Sequence, residues 1–292
     1  MTRLVPPGAE VGFIEVDGGR VRALTAGEPT APPIVLIHGG GTDNAAISWY
    51  RLIEPLGRTH RVIAVDLPGF GGTTGIPPVG GPWEQADLVA RTMAAIGVEG
   101  AVVFGVSMGG DVALRLALRH PGVVDGLVLI APGGLVPILR DRFAHGTAWL
   151  TTRLPERLLV ALGGFTGRFT RPLVRAVVHD IATLPEPVVE EFAREAIAPG
   201  ASLAFVRYNL ATIGRRTMLN YAMDEVASIT APTLFFHGEK DPMVPIDGSR
   251  RAAALMPDAR VVSVPECGHW AQLEAHDRFL SEVIRFLDGI RR

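Results

Sequence analysis

The chain has 292 residues, enough for one large domain or one domain carrying an insertion, and enough to bury a sizeable core. Apolar residues make up 48% and charged residues 20%, the balance of an ordinary globular enzyme. The formal net charge of −2 gives no electrostatic argument for nucleic acid or an anionic membrane as partner.

The first residues, Met1–Gly8, lack the continuous apolar stretch of a signal peptide. No segment approaches the roughly 20 apolar residues needed to span a bilayer. The single cysteine, Cys267, excludes an internal disulfide and fits a reducing compartment. A cytoplasmic protein is therefore expected. Val11–Val16 and Arg20–Thr25 read as the arms of a hairpin around Asp17-Gly18-Gly19. After them come short unbroken apolar runs separated by helical patterns, as in parallel strands buried on both faces. The runs are Ile34–Ile37, Val62–Val65, Ala101–Phe104, Leu127–Ala131, Thr233–Phe236 and Val261–Val264.

Glu84–Ile96 carries Ala86, Val89, Met93 and Ile96 on one helical face, and Val112, Ala113, Leu116 and Ala117 recur at helical spacing further on. The last helix bears Phe279, Leu280, Val283, Ile284 and Leu287, with Gly289 suited to its C-terminal end. Between Pro132 and Ala231 there is no convincing strand, only the helical segments Thr147–Leu162, Pro187–Ile197, Ser202–Ile213 and Thr217–Val226. The expectation is an α/β protein with a mostly parallel, eight-stranded sheet. Residues 1–132 and 231–292 form its core, and 133–230 an inserted helical cap over the carboxyl ends of the strands, where open sheets of this kind place their sites.

The chemistry centres on Gly105-Val106-Ser107-Met108-Gly109-Gly110, between an apolar strand and an amphipathic helix. Glycines at that spacing permit a strained turn that lifts a serine hydroxyl out of the sheet. Serine is a weak nucleophile at neutral pH and needs an imidazole to take its proton. The imidazole in turn needs a carboxylate to fix its tautomer. His269 follows the last apolar run, alone among His38, His60, His120, His145, His179, His237 and His276 in doing so. Asp241 follows the run before it; Glu239 is its weaker rival, and the loop Ala131–Gly134 offers no carboxylate. The growing negative charge on the carbonyl oxygen needs fixed donors. The N–H of Met108 supplies one, and Gly40, in the run His38-Gly39-Gly40-Gly41, the other. Neither a phosphate-binding glycine motif nor His/Cys spacing suited to a metal is present, so no cofactor or metal is expected. Cys267 reads as a buried filler.

With these residues the chain resembles the α/β-hydrolase superfamily over nearly its whole length. The resemblance rests on Ile37–Gly41, Val65–Gly71, the Ser107 turn, His237–Asp241 and Gly268-His269. A narrower likeness, in Ala131–Leu135 and Cys267–Glu274, is to the carbon–carbon bond hydrolases of aromatic meta-cleavage pathways. It implies that Trp270 lines the pocket beside His269, with Gly41 and Trp49 as further substrate-binding candidates. The chain departs from that family at Thr42-Asp43-Asn44, at Trp49 and at Val106, where the family usually has Pro-Gly and asparagines. No clear counterpart stands for the arginine expected to pair with the substrate carboxylate, Arg194 and Arg207 being the candidates. The departures remove polar groups that a charged dienoate needs. The expectation is thus a serine esterase acting on a small-molecule ester, with a vinylogous diketone as the alternative. Lactone hydrolysis, acyl transfer and ligand binding without turnover stand behind these.

Overall fold

The computed structural model describes residues 3–166 and 169–290. The chain opens with the hairpin β1 (Glu10–Val16) and β2 (Gly19–Ala26), then β3 (Pro33–Ile37), α1 (Ala45–Ser48) and α2 (Ile53–Gly57). Next come β4 (Arg61–Val65), α3 (Pro82–Ala95), β5 (Ala101–Val106), α4 (Met108–Arg119) and β6 (Val124–Ile130). Then come the helices α5 (Arg142–Thr151), α6 (Glu156–Thr166), α7 (Thr170–Val177), α8 (Glu186–Ala196) and α9 (Pro199–Thr212). The chain closes with β7 (Thr233–Gly238), α10 (Asp247–Leu255), β8 (Ala259–Val264), α11 (Ala271–Glu274) and α12 (His276–Ile290).

The eight strands form one sheet in the order β1-β2-β4-β3-β5-β6-β7-β8. β1 and β2 pair antiparallel, β2 runs antiparallel to β4, and every later pairing is parallel. Alternate residues of one strand enter different cores. Val35, Ile37, Val103 and Leu129 pack with Val89, Met93, Val112 and Leu116 of α3 and α4. Ile34, Leu36, Phe104 and Ile130 pack on the other face with Ile53, Phe279, Val283 and Leu287. Burial on both faces is why these strands read as unbroken apolar runs.

Among the described residues, buried apolar side chains between β6 and β7 belong to the two cores of the sheet. Val174, Val178, Val188, Val189 and Phe192 join the second cluster, and Ala201, Ala204, Tyr208 and Met223 join the first. The expected helix Thr147–Leu162 is divided by a turn at Thr152–Pro155, since proline cannot donate within a helix. The expected helix Thr217–Val226 is absent, save for a 3-10 turn beginning at Val226. Its backbone donors are drawn elsewhere: Met218 N–H bonds Pro137 O at 2.8 Å and Ala222 N–H bonds Gly134 O at 2.8 Å. α7 escaped the sequence reading because it is rich in arginine, holds Pro172 and buries only Thr170 and Val174. Among the described residues, no helix is long and apolar enough to cross a membrane.

Candidate active site

Ser107 stands between β5 and α4 at φ 53°, ψ −116°, a conformation that L side chains avoid. Both flanks hold it there. Its N–H donates to Ile130 O at 2.9 Å, and its carbonyl accepts from Asp111 N–H at 3.1 Å and Gly133 N–H at 2.8 Å. The neighbouring glycines are required by close approach: a Cβ on Gly105 would lie 2.3 Å from Gly109 O, and one on Gly109 would lie 2.3 Å from Ile37 O. The strain is thus held by the end of β6 and the loop after it, by the first turn of α4, and by the close approach of that turn to β3.

The loop after β7 carries Asp241 and the loop after β8 carries His269. Asp241 Oδ2 accepts from His269 Nδ1–H at 2.7 Å. Asp241 Oδ1 accepts from the N–H groups of Met243 (2.7 Å) and Val244 (3.0 Å). His237 lies against the same carboxylate at 3.4 Å, with its Nε2 also bonded to Val244 O at 2.9 Å. Burial works to raise the Asp241 carboxyl, but the His269 imidazole and the bonds from His237, His269 and Val244 outweigh it, holding it well below the usual range. His269 is itself buried, its N–H bonded to Val177 O at 2.9 Å, so α7, between β6 and β7, braces the histidine loop. Ser107 Oγ makes no hydrogen bond to His269, whose ring is held through Nδ1 by Asp241. Glu239 is drawn outward, facing Arg250 at 3.5 Å.

The glycine loop is fixed from below. His38 Nε2 accepts from Leu67 N–H at 2.9 Å, which leaves Nδ1–H to donate to Gly39 O at 2.6 Å. Gly39 N–H donates to Asp43 Oδ2 at 2.9 Å. Among the described residues the N–H groups of Gly40 and Met108 have no internal acceptor. The two residues are neighbours, because a Cβ on Gly40 would lie 3.1 Å from Met108 Sδ.

Asp43 belongs to this site although it was met in the sequence only as a departure from a family pattern. It is fully buried and also accepts from Ser48 Oγ at 2.5 Å and Trp270 Nε1–H at 3.3 Å. Burial raises its carboxyl, and His38, Ser48, Gly39 and Trp270 pull it back. Trp270 meets the His269 ring edge-on at 5.3 Å. Asp43 thereby ties the glycine loop to the histidine loop. The sequence signal available was an acid placed just before an apolar helix, which reads equally as a cap.

Ser107 and Met108 open on a cavity of about 430 Å³ lined chiefly by Val136, Leu139, Leu159, Phe205, Ile213, Met218 and Met243. Tyr208 and Asn220 add polar groups there, both bonded to the buried Asp111, at 2.8 and 2.5 Å. Burial raises the Asp111 carboxyl, and Arg115, Asn220 and Tyr208 oppose it. No lysine, arginine or histidine is among the described lining residues. Trp49 is not at the cavity: it is completely buried against Phe104, 6.3 Å between ring centres, because the α1 turn points it beneath the sheet. Gly40, Gly41, His269 and Trp270 are likewise not among the lining residues: of the expected site residues, Ser107 and Met108 alone border the cavity, and Trp270 packs edge-on against the His269 ring. Arg194 is closed by a two-point ion pair with Glu191, and Arg207 binds Glu156 at 3.0 Å and Pro78 O at 2.9 Å.

Residues 32–276 match the alpha/beta hydrolase fold family. The chain is 28% identical over 281 residues to the 2-hydroxy-6-oxo-6-(2'-aminophenyl)hexa-2,4-dienoic acid hydrolase of Metapseudomonas resinovorans, covering 94% of this chain and 90% of that protein. It is 31% identical over 283 residues to a 2-hydroxy-6-oxononadienedioate/2-hydroxy-6-oxononatrienedioate hydrolase of Comamonas testosteroni, covering 92% and 91%. Among solved structures it is similar to a membrane phospholipase A, a bacterial virulence factor, with a TM-score of 0.80 at 28% identity, covering 98% of this chain and 87% of that one. Sheet order, strained serine turn and family match agree: the chain belongs to the alpha/beta hydrolase fold family and is a hydrolase of that fold.

Proposed function

We propose that the protein is a serine hydrolase that cleaves neutral carboxylic esters through an acyl-enzyme. Ser107 Oγ attacks the ester carbonyl while His269 Nε2 takes its proton. Asp241, bonded to Nδ1, keeps the other ring nitrogen free to accept that proton and stabilises the imidazolium. The unpaired N–H groups of Gly40 and Met108 receive the oxyanion. His269 returns the proton to the leaving alcohol, then activates a water that releases the acid and frees Ser107.

The observation that carries the ester reading is the absence of any cationic side chain among the described residues lining the cavity beside Ser107. A carboxylate seated against these lining residues meets hydroxyl and amide groups such as those of Thr151, Tyr208 and Asn209 but no cation, and a buried charge without a counter-charge is disfavoured. The second reading is carbon–carbon hydrolysis of a 2-hydroxy-6-oxo-dienoate. The names of the relatives favour it over ester hydrolysis. Against it stand Arg194 and Arg207, each held by a glutamate.

A side-by-side assay of p-nitrophenyl esters and a 2-hydroxy-6-oxo-dienoate separates the two. The expected result is sustained ester turnover with the higher kcat/KM, reduced to background by Ser107→Ala. Faster cleavage of the dienoate establishes the second reading. A tenth of the activity surviving in Ser107→Ala assigns the nucleophile elsewhere.

A further inference from the structure

The mild net charge of the whole chain hides an uneven distribution. Residues 140–177 hold seven arginines and two acids, while the whole chain carries a net −2. The same stretch leaves large apolar side chains in water: Phe143 is 86% exposed, Leu150 64%, Leu158 43%, Leu162 48%, Phe165 58% and Phe169 55%. Leu158, Leu162 and Phe165 recur at helical spacing along α6, so they form a stripe and are not scattered. Single exposed apolar residues are ordinary, but a contiguous set marks an interaction surface. Arg142, Arg157 and Arg175 have no acidic partner among the described residues.

We infer that the α6 stripe, continued by Phe169, is a docking surface for an anionic lipid bilayer. The Phe169 ring lies 6.1 Å from that of Phe165. At the margins of the surface stand α5, which shares the cavity wall with α6, and α7, which follows Phe169. Apolar side chains interleaved with unpaired arginines suit the boundary between headgroups and acyl chains. The charge decides between a bilayer and a second copy of the chain. A two-fold contact through this face would set two arginine-rich surfaces against each other, whereas anionic headgroups neutralise them. The surface lies next to the cavity, since Ala148 of α5 and Leu159 of α6 line it. Docking would therefore hold the cavity close to the lipid. The surface stands apart from the reading of Ser107, because binding is measured without turnover.

The test is co-sedimentation of the full chain with vesicles of phosphatidylcholine alone and of phosphatidylcholine mixed equally with phosphatidylglycerol. Partition into the anionic vesicles is expected to be at least about tenfold stronger and to fall in high salt. Arg157→Glu with Arg175→Glu should lower it by about tenfold or more, and Leu158→Ser with Leu162→Ser should abolish it. The circular dichroism spectrum and the urea-unfolding midpoint should stay unchanged in both variants, which reports an intact fold without any appeal to turnover. No partition of the wild type, or equal partition into both vesicles, overturns the proposal. So does a dimer in solution that the two serine substitutions dissociate, with no vesicle binding.

Discussion

Asp241→Asn changes one atom and reverses what His269 can do. In the wild type Oδ1 is engaged by the N–H groups of Met243 and Val244 at 2.7 and 3.0 Å, and Oδ2 takes the His269 Nδ1 proton at 2.7 Å. An asparagine must keep its oxygen on the two backbone donors, which have no other acceptor there. Its NH₂ then faces His269 Nδ1 and can only donate. The imidazole is driven to the tautomer protonated on Nε2, which cannot accept the serine proton. Loss of kcat by about 10,000-fold is expected, equivalent to roughly 5 kcal/mol of transition-state stabilisation. Steady-state hydrolysis of p-nitrophenyl butyrate measures it, with KM nearly unchanged because the cavity is untouched. A variant that keeps a tenth of the wild-type kcat refutes the tautomer argument. The same substitution carries a pH signature. With the folded carboxyl held below its usual range, Asp241 stabilises the fold fully above pH about 4 and loses that contribution as the pH falls further. The stability gap between wild type and Asp241→Asn, followed by urea denaturation, should shrink only in that acid window.

Gly40→Ala places a Cβ 2.8 Å from the Phe205 ring and 3.1 Å from Met108 Sδ. Loss of the donor geometry should lower kcat by about 100-fold with little change in melting temperature, and an unaltered kcat removes Gly40 from the oxyanion site. Asp111→Ala leaves the buried Arg115 guanidinium without the carboxylate it holds at 3.2 Å. Unfolding in urea should show a loss of about 3 kcal/mol, and a change below ~1 kcal/mol means the pair is not structural.

The core strands were legible because burial on both faces leaves a local trace, an unbroken apolar run such as Leu127–Ala131, and strand and turn are short-range features. Ser107, Asp241 and His269 were legible for the same reason, as each sits directly after such a run. The sequence by itself did not determine the order of the strands or the helices between β6 and β7, but it determined a mostly parallel sheet of eight strands and these three candidate positions. Only the tertiary structure decided what surrounds them. Trp270 meets Asp43 across 227 residues, and Asn44 binds Glu191 and Glu195 across 147 and 151. Trp49 lies under the sheet and the α6 stripe faces water for a related cause. Periodicity tells which residues share a face, but what that face meets depends on how distant elements pack, and no local pattern carries that information.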